Sequence, residues 1–195
     1  EFLSLRFSTL TTILIVCFSL VLFYFSAFPG LNKTFISFSA LIYIGLFFLI
    51  ISFPVSKTFL QRNFIWLTSG VAIHLGFFAS LYFLISQDEL VLKHFGADIT
   101  NRATLLIIVL ISVMMDSFAF FGGKRFGKSK LLPNVSPNKT TEGFLIAMAI
   151  TPIIILVATS TLIEKNFYQF IILILISSLV SVIGDAVISL FKRAV

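Results

Sequence analysis

Long apolar runs alternate with short polar interruptions along this chain. Six runs can be drawn, over residues 7–28, 34–53, 64–86, 103–121, 143–163 and 167–190. Each is close to the ~20 residues that a helix needs to cross the hydrocarbon of a bilayer. None has the two-residue alternation of a barrel strand, and a backbone inside hydrocarbon must satisfy its own amides, so the runs predict helices. Pro29-Gly30 and Pro54 punctuate the ends of the first two, and Pro152 inside the fifth predicts a kink. The expected fold class is all-α: a polytopic membrane helical bundle of about six transmembrane helices, forming one transmembrane domain over 1–195.

Composition supports this and changes little. Hydrophobic residues make up 58% of the chain and charged residues 11%, against about a quarter charged in a soluble domain. The net charge of +6 is distributed over short loops, which reads as a topology signal and argues against nucleic acid as a partner. With six spans, one side of the membrane holds both termini and ten cations: Arg6, Lys57, Arg62, Lys124, Arg125, Lys128, Lys130, Lys139, Lys192 and Arg193. The other holds four: Lys33, Lys93, Arg102 and Lys165. The asymmetry predicts that the termini and the 122–142 loop face the cytoplasm. Asp88, Glu89 and Asp98 fall in the opposite loop, where solvation accounts for them. Cys17 is the single cysteine, so no intrachain disulfide can form. The first run is long enough to be retained as a span rather than removed as a leader.

Two carboxylates sit within the apolar runs. Asp116 lies about six residues from the cytoplasmic end of the fourth run, roughly 9 Å deep at helical rise. Asp185 precedes Lys192-Arg193 in the sixth run by a similar distance. Such groups need a partner in hydrocarbon. Two remain open: a structural ion pair with a loop Lys or Arg, or a divalent metal held together with phosphate oxygens. Gly122, Gly123, Lys124, Arg125, Gly127, Lys128 and Lys130 follow Asp116 directly. Glycines permit close backbone approach, and the cations suit phosphate. Gly122 to Ser129 also fits the P-loop pattern, but the preceding segment is a membrane span rather than a β-strand, which excludes that reading.

Ser136-Pro137-Asn138-Lys139-Thr140 reads as a rigid turn before a helix. Thr140 or Thr141 suits its N-cap and Glu142 its positive end. Bare amides there could receive a phosphate. The glycosylation-type triplets at Asn32, Asn134 and Asn138 carry no weight. His74, alone within the third run, suits an interhelical hydrogen bond better than a metal, and His94 belongs to a solvated loop.

These residues resemble the CDP-diacylglycerol synthases (phosphatidate cytidylyltransferases). That family carries a span ending in D-x-x-A-Y/F-x-x-G-R/K-x-x-G-K, matched by Asp116, Ala119, Phe120, Gly123, Lys124, Gly127 and Lys128. Its S-P-x-K-T-x-E-G stretch is matched by Ser136, Pro137, Lys139, Thr140, Glu142 and Gly143. Its G-D-x-x-x-S-x-x-K-R stretch is matched by Gly184, Asp185, Ser189, Lys192 and Arg193. Before residue 100 the likeness is one of hydropathy alone. Ile188 stands where the family usually has Glu, and the family's acidic C-terminal signature lies beyond Val195, where this sequence ends.

The resemblance implies N-terminal spans over 1–100 and a catalytic core over 103–195. It implies transfer of CMP from CTP to phosphatidic acid, giving CDP-diacylglycerol and pyrophosphate, with Mg2+ as cofactor. Asp116, Lys139 and Asp185 are then the expected catalytic residues, with Asp185 and Asp116 on the metal. Gly123, Lys124, Arg125, Gly127, Lys128, Ser136, Asn138, Thr140, Lys192 and Arg193 would bind substrate. The implied partners are CTP, phosphatidic acid and membrane lipid, with a homodimer left open. The implied location is a bacterial inner membrane with the catalytic face in the cytoplasm. A small transporter using Asp116, Asp185 and His74, a relative acting on another lipid phosphate, and an inactive shortened member stand as alternatives.

Overall fold

A computed structural model describes residues 13, 16–18, 20, 21, 24, 31–86, 101–160 and 167–194. Helices dominate: α1 (Leu31–Ile51), the single turn α2 (Lys57–Leu60), α3 (Asn63–Ser86), α4 (Asn101–Phe126), α5 (Thr141–Thr159) and α6 (Phe167–Ala194). A hairpin of β1 (Lys130–Leu132) and β2 (Ser136–Thr140) connects α4 to α5. The chain is an integral membrane protein. Five of the described helices are long and apolar enough to cross a bilayer, and they present large apolar side chains such as Leu41, Phe48, Phe77, Val113, Ile153 and Val180 on their outer faces. Water would not tolerate apolar faces of that extent. Most of the first expected span, over 7–28, lies outside the described residues, as do the acidic loop from 87 to 100 and His94; the few described positions of that span are helical.

The chain divides into two compact units. One comprises the described residues up to Phe83 together with those from Val187 onward; the other runs from Leu84 to Ala186. In the first, α1 and α3 approach closely where small residues meet: a Cβ on Gly76 would lie 2.8 Å from the Ser39 Cβ. Small residues at a crossing let two membrane helices gain van der Waals contact where lipid offers no hydrophobic drive. Trp66 is buried edge-on against Phe191, with ring centroids 4.9 Å apart, and Gln61 donates through Nε2 to the Ala194 carbonyl at 3.2 Å.

In the second unit the core is Ile111, Met115, Ala147, Ile155, Phe170 and Ile174, drawn from α4, α5 and α6. Ser112 and Ser181 share a hydroxyl hydrogen bond of 2.9 Å between α4 and α6. Pro152 and Thr151 are buried inside α5.

Two sequence expectations are corrected here. The polar 122–142 segment does not begin as a loop. α4 continues through Gly122, Gly123, Lys124 and Arg125 to Phe126, and the Gly127 amide extends the ladder to the Gly123 carbonyl at 2.9 Å. Glycine costs a helix about 1 kcal/mol, but here the missing side chains admit α5, and Lys124 and Arg125 suit the negative end of the helix dipole. Asp116 therefore lies ten residues before the end of α4, roughly 15 Å at helical rise. Second, Ser136–Thr140 is a strand rather than a turn, with Lys130 opposite Thr140 and Leu132 opposite Ser136. Both strands of a two-stranded sheet are edges, so Pro137 can sit in one of them without breaking an interior ladder.

Candidate active site at the hairpin

Thr140 sets the geometry. Its extended backbone (φ −110°, ψ 150°) ends β2 and caps α5, its hydroxyl accepting the Gly143 amide at 3.2 Å. The cap seats directly on the end of α4. A Cβ on Gly123 would lie 2.7 Å from the Thr140 Oγ1, and one on Gly143 would lie 2.8 Å from the Gly123 nitrogen. Gly123 and Gly127 thus make room for the Thr140 side chain, and Gly143 lets the start of α5 meet the α4 backbone. This close approach is protein against protein. Sequence reasoning assigned Gly123 and Gly127 to substrate, and the structure gives them this packing role.

Beside the junction opens a cavity of about 210 Å³. Its polar wall is Asp116 from α4 with Ser136, Asn138, Lys139 and Thr140 from β2. Ser136, Asn138 and Thr140 share a strand face by simple alternation, and Lys139 borders the cavity as well. Its apolar lining is Phe120, Leu131, Phe144, Val182 and Ala119, with Ala119 and Phe120 one turn along α4 from Asp116 on the same helix face. Drug-sized pockets begin near 300 Å³. This smaller space, with polar and apolar lining, suits a charged head group or phosphate whose remainder extends outside it.

Charge is unevenly satisfied at the site. The Lys139 ammonium lies 2.6 Å from the Asp185 Oδ2, and both side chains are partly exposed. The structural ion pair kept open for each aspartate is therefore realised for Asp185. Among the described residues Asp116 forms neither an ion pair nor a side-chain hydrogen bond, so its carboxylate is available to a ligand. Lys124, Arg125 and Lys128 occupy the end of α4 and the residues just after it, outside the cavity lining. The Arg125 guanidinium covers the Phe126 ring at 5.6 Å. Lys192 and Arg193 form the last turn of α6, in the other compact unit. His74 turns inward on its own helix, Nδ1 lying 2.7 Å from the Gly70 carbonyl. The expected interhelical bond is replaced by an intrahelical one, and His74 lends no support to an ion pathway.

Two features escaped sequence reasoning. In the apolar lining, Ala119 and Phe120 fell on the family's motif but were given no role, and Phe144 and Val182 look like any lipid-facing residue until the helices cross. Glu142, read only as a partner for the helix dipole, reaches back across the hairpin: its Oε2 accepts the Lys128 amide at 2.9 Å, and its Oε1 accepts the Ser129 amide at 3.1 Å and hydroxyl at 2.9 Å.

Residues 1–195 match the sequence profile described as the Cytidylyltransferase family. The chain belongs to the cytidylyltransferase family. Among the relatives of the chain, a phosphatidate cytidylyltransferase of Haemophilus influenzae is 35% identical over 74% of the chain and 51% of its own length. One from Bacillus subtilis is 42% identical over 40% of the chain and 29% of its own length, and one from Helicobacter pylori is 33% identical over 54% and 37%. The matched region spans about half the length of the Haemophilus relative and less of the other two. No solved structure matches the chain.

Proposed function

We propose that this cytidylyltransferase transfers CMP from CTP to phosphatidic acid, yielding CDP-diacylglycerol and pyrophosphate. The observation that carries the reading is the cavity. An unpaired carboxylate, a lysine and three neutral hydrogen-bonding side chains share the cavity with apolar side chains, which is the chemistry expected of a receptor for a phosphorylated, lipid-borne substrate. The relatives are phosphatidate cytidylyltransferases, and their activity supplies the nucleotide and lipid.

In the reaction, an oxygen of the lipid phosphate attacks the α-phosphorus of CTP while the bond to the β-phosphate breaks and pyrophosphate leaves. Positioning and charge stabilisation dominate such a transfer. Lys139 offers its ammonium to an incoming phosphate, which competes with Asp185 for it. Ser136, Asn138 and Thr140 orient phosphate or nucleotide oxygens by hydrogen bonding. Phe120 and Phe144 shelter the lipid side of the head group from water. Lys124, Arg125 and Lys128 add positive potential for the triphosphate.

Magnesium fits the donor chemistry. Among the described residues no three His, Cys, Asp or Glu side chains cluster as a protein-only site, and magnesium characteristically takes one or two carboxylates, the rest of its shell coming from phosphates and water. Asp116 and Asp185 would hold it. When bound, the ion neutralises charge developing on the transferred phosphoryl group. The excess of cations on one side of the spans supports a cytoplasmic catalytic face in a bacterial inner membrane.

Membranes containing the protein, supplied with labelled CTP, magnesium and phosphatidic acid, should form CDP-diacylglycerol. Asp116→Asn and Asp185→Asn should each lower turnover about 100-fold or more, the scale of losing one preorganised charge contact. Turnover indifferent to both substitutions, or ion flux without nucleotide turnover, would overturn the assignment.

A further inference from the structure

Glu142 is surrounded in sequence by cations, yet none of them takes its charge. Its carboxylate accepts the Lys128 amide at 2.9 Å, the Ser129 amide at 3.1 Å and the Ser129 hydroxyl at 2.9 Å. Thr141 completes the contact from the same helix turn, its amide donating to the Ser129 carbonyl at 3.1 Å, and its hydroxyl meeting that of Ser129. The first turn of α5 is thereby tied to the two residues that follow the end of α4. These residues lead into β1, whose Lys130 pairs with Thr140. β2, held in that register, supplies four of the five polar residues of the cavity wall.

We infer that Glu142 is a positioning residue for nucleotide binding, resting on the function proposed above. It acts through two effects. Hydrogen bonds to a carboxylate are charge-assisted, roughly twice as strong as neutral ones, and the two amides and one hydroxyl of Lys128 and Ser129 held this way fix the path after α4 and hence the hairpin register. In addition, Glu142 directs its charge onto backbone amides instead of onto Lys124, Arg125, Lys128 or Lys130. Among the described residues none of these four forms an ion pair, so the segment keeps its full positive charge for phosphates. Glu142 itself is absent from the cavity lining.

The test compares Glu142→Ala, Glu142→Gln and Ser129→Ala in the full protein in membranes or detergent. Glu142→Ala removes all three bonds, Glu142→Gln keeps one acceptor oxygen, and Ser129→Ala removes a single hydroxyl donor. KM for CTP should rise between about 10- and 100-fold in Glu142→Ala, the scale of misplaced binding groups. Glu142→Gln should fall between it and the parent, Ser129→Ala should show the smallest change, and KM for phosphatidic acid should change least. Amide hydrogen exchange at Lys128 and Ser129 should accelerate in the same order. Exchange at those amides equal to the parent's overturns the clasp whether or not the protein turns over CTP. A KM for CTP that is unchanged while only thermal stability falls reduces Glu142 to a structural strut. If Glu142→Ala does not fold, Glu142→Gln and Ser129→Ala decide the same two readouts.

Discussion

The α1–α3 pair and the α4–hairpin–α5 junction both rely on glycine at a close crossing, yet only the second assembles chemistry. At Gly76 the missing side chain admits Ser39, whose buried hydroxyl, like the buried Asn32 side-chain oxygen, finds no partner among the described residues. At Gly123 and Gly143 the missing side chains admit a polar connector. The hydroxyl of Thr140 caps α5, Glu142 binds the preceding segment, and β2 spreads Ser136, Asn138 and Lys139 around a carboxylate. Close helix contact is thus common to both regions. What distinguishes the junction is a short, hydrogen-bonded hairpin held against the crossing, which gives polar groups a fixed direction next to apolar side chains.

If that contrast is right, Lys139 belongs to function and little to stability. Its pair with Asp185 is partly exposed, and such pairs contribute less than about 1 kcal/mol. Lys139→Ala should therefore leave the detergent melting temperature nearly unchanged while CTP turnover falls about 100-fold through loss of a phosphate contact. Lys139→Arg should recover only part of the rate, because a planar guanidinium does not reproduce a compact ammonium. A large loss of stability with little loss of rate would reverse the contrast and make the ion pair a strut.

Much of this organisation was legible in the sequence, for identifiable reasons. Helices longer than a bilayer is thick announce themselves by their apolar runs, and α1, α3, α5 and α6 lie near the expected spans. Thr140 was one of two expected caps, because a hydroxyl just before an apolar run with an early acid is a helix start. Asp116 was singled out because a carboxylate is costly in hydrocarbon, and the Ser136–Thr140 segment because it reads as a turn before a helix start. The end of α4 was misread because Gly122-Gly123 looks like a breaker, and only α5 packing against it repays the helix cost. β2 was misread because Pro137 looks like a turn residue, and strand pairing is a property of two segments. Glu142 and the Lys139–Asp185 pair depend on residues far apart in the chain. No local pattern specifies such contacts.

The two crossings can be set against each other by adding a single methyl group. A Cβ at Gly143 would lie 2.9 Å from the Gly123 Cα, with backbone on both sides, so the helices must separate. Gly143→Ala should cost about 1–3 kcal/mol, the usual range for overpacking, and should lower CTP turnover with it because the cavity wall is built on that crossing. Gly76→Ala meets a serine side chain, so it should lower stability without a matching loss of turnover. Gly45, on α1, has nothing within 4 Å of an added Cβ. Gly45→Ala should be neutral or stabilising by up to about 1 kcal/mol, since alanine is the better helix former. Thermal unfolding measured beside turnover separates the three, and equal effects at Gly143 and Gly45 would contradict the close crossing.

The smallest expected effect tests whether polar contacts deeper in the second unit resemble those of the junction. Ser112 and Ser181 join α4 to α6 through one hydroxyl pair at 2.9 Å, with no charge and no third member. Hydrogen bonds between membrane helices average about 0.6 kcal/mol, because each partner finds alternatives when the helices part. Ser112→Ala should therefore shift unfolding by about that amount and leave the KM for CTP unchanged. The double variant Ser112→Ala with Ser181→Ala should cost little more than either alone, since neither alanine leaves a donor stranded. A shift several times larger, or a change in KM, would mean that the network around Asp116 extends down α4 into the bundle, and that the hairpin is not its boundary.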